Sequence, residues 1–294
     1  MATLKELKNK IQSVKNTQKT TRAMKLVSTA KLKRAEEALL LSRDYAKKIE
    51  EVMKEISEKL ASVKDNISLR AFSDIKEINK VDIIVVTADK GLCGGFNHQT
   101  IKETLKIIDE LKSKNVKIRL KVIGRKAIEF FKFKEIEMYE AIEGLSSAPN
   151  YEKAAEVINA SYSDFVNEDI DNIILIYNGY VNKLTQKVHV KELLPLKVET
   201  TNNLEEFLEV EPEDDYEVIL ESLVKKYLEY IMYYTLLDSL AGEHSARMQA
   251  MDAATNNAQE MVRQLTLQFN KARQEAVTRE LIEIVTAIEA MKKN

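Results

Sequence analysis

The residues with the clearest capacity for chemistry form one glycine-rich stretch, Ala88-Asp89-Lys90-Gly91-Leu92-Cys93-Gly94-Gly95-Phe96-Asn97, which follows an apolar, β-branched run at 81–87. A loop of this kind leaving a strand can cradle phosphate with its backbone amides. The spacing speaks against that. A Walker loop ends Gly-Lys-Ser/Thr, whereas Gly95 is followed by Phe96 and Asn97, and Gly91, Gly94 and Gly95 do not supply the GxGxxG of a dinucleotide fingerprint. A tight turn needing positive φ, with Cys93 packed as a small hydrophobe, is the better reading. His98, His189 and His244 lie far apart in sequence and have no spaced ligand partner, so none reads as a metal ligand or a general base. A single cysteine forbids an internal disulfide and suits a reducing compartment. Neither a CxxC pair nor a His/Cys cluster is present to hold zinc, so no metal, cofactor or catalytic residue is expected.

A second concentration of chemistry is electrostatic. Nine bases (Lys8, Lys10, Lys15, Lys19, Arg22, Lys25, Lys31, Lys33, Arg34) and no acid lie between Leu7 and Ala35. Such a run is most often a solvated face. Here the bases are spread around the helix, and Thr17, Thr20, Thr21 and Ser28 stand where a membrane-surface helix would carry apolar bulk. An acidic protein surface around the helix is the better complement. The net charge of −2 argues against general nucleic-acid affinity. No uncharged run approaches the ~18 apolar residues of a membrane span, and the charges at Lys5, Glu6 and Lys8 interrupt any signal-peptide core. The chain is expected to stay in the cytosol.

The elements that carry these groups are mostly helical, as three prolines, seven glycines and 31% charged residues suggest. From Pro212 onward the only glycine is Gly242, and Met248, Met251, Thr255, Ala258, Val262, Leu265, Phe269, Ala272 and Ala276 repeat in threes and fours, a left-handed coiled-coil seam. At about 1.5 Å per residue this helix is roughly 120 Å long. Residues 3–66 form a second long helix, opened by a Thr3/Glu6 capping box. Its seam starts in heptad phase at Leu4, Leu7, Ile11 and Val14. Farther on, Ala38, Leu41, Tyr45, Ile49, Val52, Ile56, Leu60 and Val63 come closer to an eleven-residue repeat, which predicts a relaxed supercoil there. Between the helices the order is βαβ: a strand at 81–87, an amphipathic helix carrying Ile101, Leu105 and Ile108, a strand at 116–123, a helix at 125–133, a weaker strand at 134–142, a helix after Pro149, and strands at 173–180 and 185–194 joined by a turn at Asn182-Lys183. The first strands should be parallel and the last two an edge hairpin. The fold class is therefore α/β: a long antiparallel two-helix coiled coil from the N- and C-terminal helices (1–70 and 212–294) plus a central Rossmann-like α/β domain (71–211). Tyr227, Tyr230, Tyr233 and Tyr234 should clamp the last helix to the domain, and Gly242 should mark close approach of another backbone. The helices are unequal. The N-terminal one gives out near Arg279, leaving 281–294 as a lone helix whose Leu281, Ile284, Val285, Ile288 and Met291 need an apolar sleeve.

Three segments carry a resemblance. They are Ile11-Gln12-Ser13-Val14-Lys15-Asn16-Thr17-Gln18-Lys19 with Ala23-Met24; Asp89 to Asn97; and a run from Glu243 through Arg247-Met248, Ala250-Met251-Asp252-Ala253-Ala254-Thr255 and Asn270-Lys271-Ala272-Arg273-Gln274 to Thr278-Arg279-Glu280-Leu281. With them the chain resembles the gamma subunits of F-type ATP synthases, of the bacterial type. The resemblance implies a central rotor shaft threaded through a ring of three alpha and three beta subunits, with the α/β domain against the epsilon subunit and the membrane c ring. It implies that Lys8, Lys15, Lys19, Arg22 and Lys25 face acidic beta-subunit loops with Met24 nearby, that Arg273, Gln274 and Thr278 bond to a beta loop, and that Leu281, Ile284 and Ile288 sit in an apolar bearing. Catalysis would belong to the beta subunits, and the chain would be peripheral on the cytoplasmic side of the cell membrane. Thr286-Ala287-Ile288-Glu289 departs from the small residues usual in the family's tip, and a chain with only Cys93 lacks the photosynthetic members' regulatory cysteine pair. Two readings from other classes compete: a nucleotide-dependent enzyme with a coiled-coil arm, disfavoured by the missing phosphate loop, and a tethering or nucleic-acid-binding coiled coil, which leaves the apolar tip without a purpose.

Overall fold

The computed structural model describes residues 3–62, 69–73, 75, 77–196 and 216–292. Helix α1 spans Leu4–Ser62 and helix α5 spans Tyr216–Lys292; between them come β1 (Lys80–Val86), α2 (Phe96–Ser113), β2 (Lys117–Ile123), α3 (Arg125–Phe133), β3 (Glu140–Ile142), α4 (Tyr151–Val166), β4 (Asn172–Asn182) and β5 (Thr185–Leu194). The chain divides into two compact units, one built from the residues up to Ser28 and from Met248 on, the other from Thr29–Arg247.

The first unit is the coiled coil. Thr3 and Glu6 close the capping box reciprocally, the Glu6 amide donating to Thr3 Oγ1 at 3.3 Å and the Thr3 amide to Glu6 Oε2 at 2.9 Å, which satisfies two amides that the first turn leaves open. The pairing is antiparallel: Thr21 meets Thr255 at 2.8 Å between hydroxyl oxygens, and Lys25 meets Asp252 at 2.6 Å. Along α5 the residues turned inward are the predicted ones, with Met251, Ala258 and Leu265 buried and Val262, Phe269, Ala272 and Ala276 half-buried. After Ala276 every side chain described is exposed, so the seam ends within one turn of the expected point.

The second unit is a five-stranded sheet in the order β3-β2-β1-β4-β5. β1 pairs parallel with β2 (Val81 beside Ile118) and with β4 (Val81 beside Asn172), β2 parallel with β3, and β5 antiparallel with β4 (Tyr177 beside His189). Because β1 is central and covered on both faces, it is apolar on both, with Asp82 as the one polar residue between Val81 and Val86: Val81, Ile83 and Val85 pack with α2 and α3 residues such as Ile101, Ile108, Ile128 and Phe131, whereas Ile84 and Val86 pack with α4 and α5 residues such as Ile158, Phe165, Leu228 and Leu236. The tyrosines tie α5 to its neighbours. The Tyr230 hydroxyl donates to the Ser42 carbonyl at 3.0 Å and its ring meets Tyr45, while Tyr233 meets Tyr151 of α4.

Three expectations need correction. The seam of α1 does not drift: the inward positions in this unit are Leu32, Ala35, Leu39, Ala46, Ile49, Met53 and Ile56, a continued heptad, while Leu41 is 85% exposed and Tyr45 54%. Small residues at Ala35, Ser42 and Ala46 interrupt the large ones of the seam, so hydrophobicity alone misleads there. Leu60 belongs to a stretch whose side chains are not described, and Val63 lies outside the described residues. β3 shrinks to three residues, because 134–139 closes α3 instead: Glu135 takes φ 55°, the Ile136 amide returns to the Phe131 carbonyl, and Ile136 and Met138 join the α2/α3 core. The hairpin turn is Lys183-Leu184, one residue later than expected, since Asn182 pairs with Thr185.

Candidate functional site

The glycine-rich loop points its carbonyls, not its amides, at a charged group. Arg247 of α5 donates through Nε to the Gly91 carbonyl (3.2 Å) and through Nη2 to the Lys90 carbonyl (3.1 Å), and its Nη1 is 2.6 Å from Glu243 Oε1. A phosphate loop presents the opposite polarity. Asp89 is likewise committed: it accepts from the Arg125 and Gly144 amides at 3.0 and 3.1 Å and from the Ser146 hydroxyl at 2.9 Å. Burial would raise its pKa, but those hydrogen bonds outweigh burial and leave it below the ordinary carboxylate value. Asn97 folds the loop back, its Oδ1 accepting from the Ala88 amide at 2.9 Å and its Nδ2 donating to Cys93 Sγ. Cys93 is buried beside Ala88, Phe96 and Ala246, and that burial pushes its thiol pKa up, which suits a packed hydrophobe. The left-handed positions are Gly94 at φ 59° and, against expectation, Leu92 at φ 63°; Gly95 is right-handed.

The three histidines are held separately. His98 is exposed, and His189 stacks on Tyr177 with its pKa lowered by burial and by Lys191 and Lys187. His244 is buried, and burial together with Arg247, Lys31 and Lys90 pulls it down to about 4. Among the described residues no group of three or more His, Cys, Asp or Glu side chains could hold a metal ion.

The other candidate residues lie on the coil, and its heptad decides their orientation. Lys8, Lys15, Lys19 and Arg22 occupy outward positions and are exposed. Met24 and Lys25 are half-buried, and the Lys25 ammonium pairs across the coil with Asp252. Counting heptads from Leu4 through Leu7, Ile11, Val14, Gln18 and Thr21 reaches Lys25, so its inward position was available from the spacing. Arg273 and Gln274 are exposed near the end of the seam, and Thr278 donates its hydroxyl to the Gln274 carbonyl at 2.9 Å. Leu281, Ile284 and Ile288 are 57, 56 and 48% exposed, and among the described residues every side chain of α5 beyond Ala276 is exposed with them. Such a surface offers exposed cations and bare apolar side chains along the coil.

Fold and surface together define a chain of two units, an α/β unit and an antiparallel coiled coil, with exposed charged and apolar side chains along the coil. A family model described as ATP synthase matches residues 3–291. The chain is 78% identical to the ATP synthase gamma chain of Nautilia profundicola over the full length of both, and 56% identical to that of Campylobacter curvus, covering 99% of this chain and all of the relative. It belongs to the ATP synthase gamma-chain family. In fold it is similar to a rotor chain of the Euglena gracilis mitochondrial ATP synthase (TM-score 0.67, 16% identity, 93% of this chain and 98% of that one) and to a chain of the Tetrahymena thermophila central stalk and c ring (TM-score 0.57, 23% identity, 80% and 99%). Among the described residues no helix is long and apolar enough to cross a membrane.

Proposed function

We propose that the chain is the central-stalk rotor subunit of a bacterial F-type ATP synthase, coupling ion-driven rotation of the c ring to conformational cycling of the catalytic beta subunits, and itself non-catalytic. One observation carries most of this reading: the seam closes at Ala276, yet the helix continues with Leu281, Ile284, Val285 and Ile288 all turned to solvent. Each such side chain gains about 1.5–3 kcal/mol on burial, so the tip fits an apolar sleeve supplied by other subunits. Three alpha and three beta subunits would surround the coil. Lys8, Lys15, Lys19 and Arg22 would face acidic beta loops, with Met24 beside them, and Arg273, Gln274 and Thr278 a beta loop nearer the tip. Lys25, held by Asp252, would act there chiefly through the coil. The α/β domain would meet the epsilon subunit and c ring, giving peripheral attachment on the cytoplasmic face of the membrane and no role for nucleic acid or a bound cofactor. The test is co-expression with alpha and beta subunits, followed by single-molecule observation of a probe fixed to the α/β domain. One copy per complex and unidirectional rotation on adding ATP are expected. A ring that forms without this chain bound, or a bound probe that stays still during ATP turnover, overturns the assignment.

A further inference from the structure

The sheet changes direction beside β1. Helices α2 and α3 carry the chain outward to β2 and β3, whereas α4 returns it to β4 on the other side. In doubly wound sheets the crevice outside the carboxyl ends of the two strands at such a switch is where a ligand is held. Val85 pairs with Ile176, so Asn178, Gly179 and Tyr180 overhang the end of β1, level with the glycine-rich loop, and form the other wall of that crevice. The crevice is filled by α5. From Thr235 to Arg247 every residue of the helix is buried except Leu240, which is half-buried, although Asp238, Ser239, Glu243, His244, Ser245 and Arg247 are polar. Gly242 lies against the wall: a Cβ there would stand 3.1 Å from the Phe96 ring, 3.2 Å from the Asn178 carbonyl oxygen and 3.3 Å from the Gly179 carbonyl carbon.

The bonds to α5 are directional and come from opposite sides. Asp238 Oδ1 accepts from the Tyr180 amide at 2.8 Å, and the Ser245 hydroxyl donates to the Lys183 carbonyl at 3.0 Å and accepts from Gln186 Nε2 at 2.9 Å. At about 100° per residue these two lie on one side of the helix, with Glu243 and Arg247 roughly opposite, where Arg247 grips the loop carbonyls. Apolar burial has no preferred direction and lets a smooth rod turn in its socket; hydrogen bonds on both sides resist rotation about the helix axis. We propose that the crevice is a socket for the chain's own helix, and that this socket is the joint through which the α/β domain turns the shaft.

This inference rests on the rotor reading and assigns where torque enters α5. The test uses the complete membrane-bound enzyme in sealed vesicles, with ATP hydrolysis and ATP-driven ion pumping measured together and amide hydrogen exchange followed at 88–97. Gly242→Val drives a branched side chain into the Asn178 and Gly179 backbone; Ser245→Ala removes two socket bonds without adding bulk and serves where the valine variant fails to assemble. Hydrolysis should persist, pumping per ATP should be largely lost in Gly242→Val and reduced in Ser245→Ala, and exchange at 88–97 should rise in Gly242→Val, whose side chain meets Phe96. Raised exchange with unchanged pumping per ATP, or hydrolysis and pumping falling in step, overturns the joint. Failure of the rotor reading itself shows elsewhere, as an unsubstituted chain that does not rotate.

Discussion

The most concentrated charge inside the α/β unit is an ion network that the rotor assignment does not use. Asp82, fully buried on β1, holds Arg119 with two bonds of 2.6 and 2.8 Å and accepts from the Ser161 hydroxyl at 2.8 Å; Arg119 also reaches Asp164 at 2.6 Å and lies over the Tyr139 ring. The hydrogen bond to Asp82 is the main cause that holds the Arg119 pKa above its ordinary value. Lys121, also buried, is placed more loosely, 3.9 Å from Asp82 and 3.7 Å from Glu140. Removing one partner of a buried pair leaves a charge uncompensated at a cost of about 3–5 kcal/mol, so Asp82→Ala should be strongly destabilising. Lys121→Met keeps the volume and leaves Asp82 its bonds to Arg119 and Ser161, so it should cost under about 1.5 kcal/mol. Urea unfolding followed by circular dichroism separates the two, and equal losses would make Lys121 the keystone instead. None of this pairing was visible in the sequence, where Asp82 and Lys121 look like interruptions of two apolar strands. Only the parallel register, which sets Asp82 beside Arg119, brings the charges together.

At the level of elements, periodicity located the helices and most strands, because each buries one stripe or both faces against a neighbour and the residue pattern must follow. The α1 seam failed for a specific reason. Leu39, Leu40 and Leu41 are consecutive, so hydrophobicity alone cannot choose among three phases, and the true seam runs on through Ala35, Ser42 and Ala46, which carry little apolar weight. The heptad begun at Leu4 decides it. Leu39 is 8% exposed against 85% for Leu41, so Leu39→Ala should cost about 2–5 kcal/mol. Leu41→Ala should stay within about 0.5 kcal/mol, as for other exposed positions away from special contacts. Thermal unfolding of the two variants checks the phase, and the reverse order of sensitivity would restore the eleven-residue repeat. β3 was overestimated because Ile136 and Met138 alternate like strand residues; that their apolar side chains serve the turn closing α3 depends on Glu135 adopting positive φ, which no spacing announces. The glycine loop was legible as a turn needing positive φ, which Gly94 takes, whereas its partner Arg247 was not legible, since the bond joins residues more than 150 positions apart.

For the whole molecule, the open question is which part of the coil drives and which part guides. Torque has to pass through a segment that resists twisting and through side chains that engage a neighbour directionally. Two paired helices meet the first condition up to Ala276, and Arg273 and Gln274, exposed where the pairing ends, would meet the second through the proposed bonds to a beta loop, since charge-assisted hydrogen bonds are both strong and oriented. Thr278 contributes less directly, because its hydroxyl is already given to the Gln274 carbonyl. Beyond that point Leu281, Ile284 and Ile288 can offer only non-directional burial, which centres a rotating rod without gripping it. Deleting 281–294 should therefore weaken assembly and let the shaft wobble while some directional rotation survives. Replacing Arg273 and Gln274 together by alanine should leave the complex assembled and slow its turnover. Single-molecule rotation of both variants against the unmodified complex separates guidance from drive: a tip-deleted shaft that assembles fully yet produces no torque would make the tip the driving element, and a double variant that turns at the normal rate would show that the beta loops push on the coil somewhere below Arg273.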